Sequence, residues 1–116
     1  MNSNIKSLQR ITNPLNSCLT EIEFNDVHQK FIGLVLIAET LPRTKVIKSN
    51  SYYWRGICRS LIFRFPDDLE ILKKSFTKNN QSKGIIQIRS ASRFGQSDLG
   101  VNRNRINYLL NKLQNI

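Results

Sequence analysis

The stretch "PDDLEILKKSFTKNNQSKGIIQIRSAS", residues 66–92, decides the fold. Its two ends are rich in branched residues, and its middle, residues 73–84, is polar. Apolar runs joined by a polar loop read as two antiparallel strands. With the loop at 73–84, paired residues have numbers summing to about 157. Asp68 then lies opposite Arg89, and Asp67 near Ser90.

Upstream, "KVIKSNSYYWRGICRSLIFRF" (45–65) supplies two more strand segments, broken at Ser49-Asn50-Ser51. Its aromatic and branched residues suit a pleated, half-buried surface. Leu61, Phe63 and Phe65 alternate with Ile62 and Arg64. The second segment is expected to run straight on into "PDDLEILKK".

Residues 24–44 read as a helix. Val27, Phe31, Leu34, Val35, Ala38 and Leu41 recur at helical spacing and make one apolar face. Asn25 or Asp26 can cap its start, because a short side-chain oxygen accepts from first-turn amides. Pro42 ends it. At the other terminus "NRNRINYLLNKLQ" (102–114) places Ile106, Leu109, Leu110 and Leu113 on one helical stripe, with Asn102 as the expected cap. Residues 1–24 are polar, show no clear period, and are read as an extended N-terminal arm. Residues 25–116 form a single domain. The expected fold is α+β: a three- to four-stranded antiparallel sheet with an N-terminal and a C-terminal helix on one face, in the order α-β-β-β-α.

Composition narrows the function classes. A chain of 116 residues has room for one core. The net charge of +10 favours anionic partners: nucleic acid, an acidic protein or an anionic membrane surface. Cys18 and Cys58 have no second Cys or His at ligand spacing, so no metal site is expected. Reduced, buried thiols are the expected state. The longest apolar run, "FIGLVLIA", has eight residues, far short of a bilayer span. The N-terminus lacks the apolar core of a secretory signal. A soluble chain is expected, cytoplasmic or in an organellar matrix or stroma, with peripheral membrane contact left open.

Three blocks carry a family resemblance: "LPRTKVI" (41–47), "FRFPDDLEI" (63–71) and "IIQIRSASRFGQSDLGVNRNRI" (86–106). In this order and spacing the chain resembles the uncharacterised family known as domain of unknown function 1499. The last block is the most specific, a strand ending in Arg-Ser-Ala-Ser-Arg followed by Gly, Ser-Asp, Gly and Asn-Arg. "NSCL" at 16–19 falls where the family has a short Asn-Cys segment. The resemblance spans roughly residues 13–113 and implies no established activity. It implies members that are exported or lipid-anchored in bacteria, and others in photosynthetic organisms or their plastids. Pro66 stands where that family has an apolar strand former.

The densest polar signal is "IRSASRFGQSDLGVNRNRI" (88–106), with four arginines, three serines, two glycines and one aspartate. Two readings share the same residues: Asp67, Asp68, Arg89, Ser90, Arg93, Ser97, Asp98, Asn102 and Arg103. In one they are an internal network of charge-assisted hydrogen bonds that fixes strand, loop and helix together. In the other, Gly95 and Gly100 let backbone amides approach an anion near Arg89, Arg93, Arg103 and Arg105. No cofactor is expected, because "FGQSDLG" is neither a phosphate-binding loop of the Walker type nor a dinucleotide fingerprint. Catalysis finds little support: His28 is the only histidine, and Asp67 and Asp68 point to opposite faces of a strand. Tyr52, Tyr53, Trp54 and Arg55 are either a base-stacking platform or core. Lys73, Lys74, Lys78 and Lys83 would form a basic tip on the hairpin. The helix at 24–44 has a second apolar face, and Ile32 and Leu36 on it are expected to meet a protein partner. The leading expectation is a non-enzymatic accessory or binding subunit within a larger, organellar or photosynthetic, complex. A nucleic-acid- or anion-binding module is second, and an enzyme third.

Overall fold

The structure, a computed structural model, describes residues 7–61, 64–95 and 97–115. Its elements are β1 (Ser17–Phe24), α1 (Val27–Glu39), β2 (Thr44–Ser49), β3 (Tyr53–Arg59), β4 (Pro66–Lys78), β5 (Gln81–Ser92) and α2 (Val101–Gln114). The strands form one antiparallel sheet in the order β1-β5-β4-β3-β2. The class is α+β as expected, but the sheet has five strands rather than three or four.

Two departures produce the extra strands. Ser17–Phe24, expected to belong to an arm, is an edge strand paired with β5 over its whole length. Its inward Cys18 is buried while outward Glu21 and Glu23 meet water, so the alternation is real but short. The second departure lies between β3 and β4. They do not form one continuous strand; they pair antiparallel, from Tyr53↔Leu72 to Arg59↔Pro66. Ser60 N donates to the Phe65 carbonyl at 3.3 Å, and Arg64 takes a φ of +58° at the reversal. Pro66 is tolerated because it opens its strand, where a missing amide hydrogen costs least. The alternation expected at Ile62 and Phe63 lies outside the described residues.

The β4–β5 hairpin is tighter than its polar composition suggests. Only Asn79 and Asn80 are unpaired, with φ of +54° and +63°. Two consecutive left-handed residues make the two-residue turn whose twist matches the strands, and Asn tolerates that conformation best after Gly. The polar residues expected in the loop are therefore strand residues. Lys73 and Lys74 point to opposite faces, Lys73 over the Phe31 ring and Lys74 toward Ser7. Lys83 pairs with Glu23 instead. The expected basic tip is not gathered at one place.

Both helices pack on one sheet face. Val27, Phe31, Leu34 and Ala38 of α1 and Ile106, Leu109 and Leu113 of α2 are buried against Trp54, Leu69, Ile71, Ile86 and Ile88. Each such buried Val, Leu, Ile or Phe contributes roughly 1.5–3 kcal/mol. Gly84 permits the approach of α1: a Cβ there would fall 2.2 Å from Val27 Cγ1. On the other face Leu8 of the arm is buried with Tyr53 and Leu72, and its amide donates to Gln87 Oε1 at 2.8 Å. The aromatic run is thus core. Trp54 is fully buried and donates its indole N–H to Glu39, while Tyr53 is buried beneath Leu8, so no stacking platform is exposed there.

Candidate functional site

The sequence-predicted polar residues divide between the two faces of the sheet. The division follows from strand alternation, which sends Asp67 toward the helices and Asp68 away.

On the helix-facing side, Asp67, Ser90 and Ser92 come from neighbouring positions of β4 and β5 and meet the first turn of α2. Asn102 sits at the centre. Its Nδ2 shares its hydrogens among the Asn16 carbonyl (2.9 Å), Ser92 Oγ (2.9 Å) and Asp98 Oδ2 (2.7 Å). Its Oδ1 accepts from Ser90 Oγ (2.6 Å) and Arg105 Nη1 (2.9 Å). Arg105 Nη1 also lies 3.0 Å from Asp67 Oδ2 and 3.0 Å from Ser90 Oγ. The side chains of this pair are only 6% (Asp67) and 12% (Arg105) exposed. Asn102 is therefore not the helix cap. It continues the buried stripe 102, 106, 109, 113, and a fully buried amide needs the bonds it finds here.

Capping falls to Asp98. Its carboxylate accepts from the amides of Gly100 (2.8 Å) and Asn102 (3.0 Å). Burial pushes its pKa up, but the bonds from the Asn102 side chain and from the Asn102 and Gly100 amides outweigh that and hold it below the ordinary value. Gly100 supplies the left-handed turn, φ +84°, that starts the helix. The first amides of α2 thus already hold a carboxylate.

On the open side, Asp68 accepts a two-pronged bond from Arg93 (2.8 and 2.9 Å) and one from Arg55 (2.9 Å). The Arg93 guanidinium is the main reason its pKa lies low, against an upward push from burial. Arg89 is not opposite Asp68. It faces Glu70 across the strands, 3.5 Å away, because Asp68 pairs with Ala91. The expected register was displaced by two residues, which keeps every side chain on its face and changes only its partner. Asp67 accordingly pairs with Ser92. Glu70 also accepts from the Tyr53 hydroxyl at 2.5 Å. Burial, together with this carboxylate, pushes the Tyr53 pKa far up. Arg89 Nε is buried without a hydrogen-bond partner among the described residues.

The remaining expectations scatter. Ser97 is exposed and accepts from the Leu99 amide, and Arg103 is exposed on α2. His28 is exposed and its Nδ1 lies 2.7 Å from Lys73 Nζ; among the described residues no carboxylate orients it for base catalysis. Cys18 and Cys58 are free and buried. Burial pushes the Cys58 thiol up and so keeps it protonated. Among the described residues no group of three or more His, Cys, Asp or Glu is placed to hold a metal.

Sequence reasoning missed Glu70 and gave Asn16, Tyr53 and Arg55 no place in these networks. Arg55 and Glu70 had a readable signal, since opposite charges on neighbouring strands pair across the register Arg55↔Glu70 and its diagonals. Asn16 contributes through its backbone carbonyl, its side-chain amide bond to the Gly95 carbonyl and its Oδ1, which accepts from Ser17 Oγ; the Asn-Cys segment of the resemblance marks its position but not this role.

Among the exposed apolar side chains of the described residues, two form a ridge on α1. Ile32 is 46% and Leu36 59% exposed on the outer side of α1. A groove of about 540 Å³ runs along one flank, between Ile37, Tyr108 and Lys112. Another of about 320 Å³ runs along the other, beside His28, Val35 and Ser51.

The family described as "Protein of unknown function (DUF1499)" matches residues 4–113, nearly the whole chain. No curated protein matches the chain. Among the described residues no helix is long and apolar enough to cross a membrane.

Proposed function

The chain belongs to the DUF1499 family of proteins of unknown function, and from that premise we propose that it is a non-enzymatic binding subunit that docks a protein partner on the α1 ridge. The observation that carries this reading is the exposure of Ile32 and Leu36 between two grooves on an otherwise well-packed helix. Adjacent exposed apolar side chains flanked by grooves are a surface that a protein partner can cover. The polar residues that suggest chemistry have internal employment: Asp67 and Arg105 tie the sheet to α2, Asp98 caps α2, and Asp68 collects Arg55 and Arg93. We read the two networks as scaffold, which leaves the ridge as the working surface.

The partner is expected to bring apolar side chains flanked by acids. Lys112 lines one flank of the ridge, and the protein as a whole carries +10. Like charge of that size disfavours a second copy of the same chain.

Co-purification from the native source tests this, using wild type, Leu36→Lys and Leu99→Lys. Leu99 is 92% exposed and lies off the ridge. A partner lost with Leu36→Lys and kept with Leu99→Lys supports the reading. A wild type that sediments as a monomer and brings down nothing sensitive to Leu36 refutes it.

A further inference from the structure

Away from the ridge, the ends of β2 and β3 bring arginines together with no acid between them. Arg43 precedes β2 and Arg59 ends β3. Their backbones bond directly, Arg59 N to the Arg43 carbonyl at 3.1 Å. Like charges at facing positions of neighbouring strands repel. Arg43 also holds a φ of +53°, a left-handed conformation unfavourable for a side chain of its size. Each guanidinium is steadied by one carbonyl: Arg43 Nε donates to Arg59 O at 3.1 Å, and Arg59 Nη1 to Arg64 O at 3.0 Å. Among the described residues their other N–H groups meet no acceptor. Among the described residues neither has a carboxylate partner.

A cavity of about 440 Å³ opens beside this pair, on the sheet face away from the helices and within the range of small-molecule sites. Arg43, Arg59 and Arg64 line it together with Leu41, Ile47 and Ile57. Among the described residues no Asp or Glu lines it. Repulsion, backbone strain and a cation-lined hollow coincide at one place, and a bound anion relieves the first and occupies the last.

We propose that this cleft binds an organic phosphate. The guanidinium forks of Arg43 and Arg59 grip the phosphate oxygens, a geometry that planar forks provide and ammonium groups do not. The carbon body lies against Leu41, Ile47 and Ile57. The phosphate comes either from a soluble metabolite or from a lipid headgroup, and the same chemistry serves both. The site is independent of the α1 ridge, so Leu36→Lys leaves it unchanged.

The test is calorimetric titration with phenyl phosphate at low ionic strength, alongside flotation with vesicles of phosphatidic acid in phosphatidylcholine. Arg43→Gln and Arg59→Gln are each expected to weaken binding by about tenfold or more, the usual loss for a charge-assisted bond. Arg10→Gln removes the same charge from the exposed arm and is expected to change it less than about twofold. Where Arg43→Gln lowers the melting temperature, Arg59→Lys replaces it; it keeps the charge and loses the fork, and should still weaken binding. Arg43-dependent binding of phenyl phosphate supports the site with a soluble ligand. Arg43-dependent flotation without phenyl phosphate binding supports it with a lipid headgroup. No binding in either arm, or equal loss in Arg10→Gln, overturns it.

Discussion

Replacing Asp67 by Ala removes the acid that, among the described residues, pairs with Arg105 beneath α2. In the folded protein Arg105 keeps Ser90 Oγ at 3.0 Å and Asn102 Oδ1 at 2.9 Å but loses its counter-charge at 3.0 Å. Its side chain is 12% exposed, so water cannot take over the lost contact. Breaking a buried pair from one side costs about 3–5 kcal/mol, because the stranded charge keeps its desolvation penalty. For a domain of this length that is a fall of about 12–20 °C in melting temperature. Urea is the denaturant of choice, since guanidinium would screen the interaction under test. Arg105→Ala should lose a comparable amount, and the double variant less than the two losses added, because removing both charges strands neither. Asp68→Ala is the comparison. Its partners Arg55 and Arg93 are 35% and 39% exposed, so water rehydrates them and the loss is markedly smaller. Asp68→Ala as damaging as Asp67→Ala, or strictly additive losses at Asp67 and Arg105, would refute the assignment of the buried pair to the helix side.

Three further outcomes follow from particular contacts. Asp68 and Asp98 both titrate below the ordinary carboxyl value of 3.8. Each therefore adds stability that is complete above about pH 4 and is lost as the pH falls through the depressed folded value. The urea midpoint should hold steady from pH 7 to 5 and drop below about 4, less steeply in Asp98→Asn. Gly84→Ala should cost about 1–3 kcal/mol by overpacking, since the new methyl meets Val27 at 2.2 Å; an unchanged melt would show that α1 yields freely. Asn80→Val forces a branched residue into a φ of +63° and should cost about 1–2 kcal/mol, while Asn80→Gly should be neutral or stabilising in the same melts.

Sequence alone determined the features that arise from local periodicity. The apolar stripe 27, 31, 34, 38 placed α1, and 106, 109, 113 placed α2, because a helix's facing residues are set by its own pitch. The exposure of Ile32 and Leu36 was legible for the same reason: one sheet covers one stripe. The opposite facing of Asp67 and Asp68 was equally local, since strand alternation has no other outcome. What depended on distant partners was not legible. Ser17–Phe24 becomes a strand because β5 offers it a free edge; the alternation of Ile22 and Phe24 with Glu21 and Glu23 is a local sign, but too short to name the partner. The turn at Asn79-Asn80 set the register, and with it the choice of Glu70 rather than Asp68 for Arg89. Asn102 looked like a cap by its place in the sequence. Tertiary packing made it the centre of a buried network, because Asp98 reached the helix amides first and the stripe of α2 carried Asn102 inward to Ser90, Ser92 and Asn16.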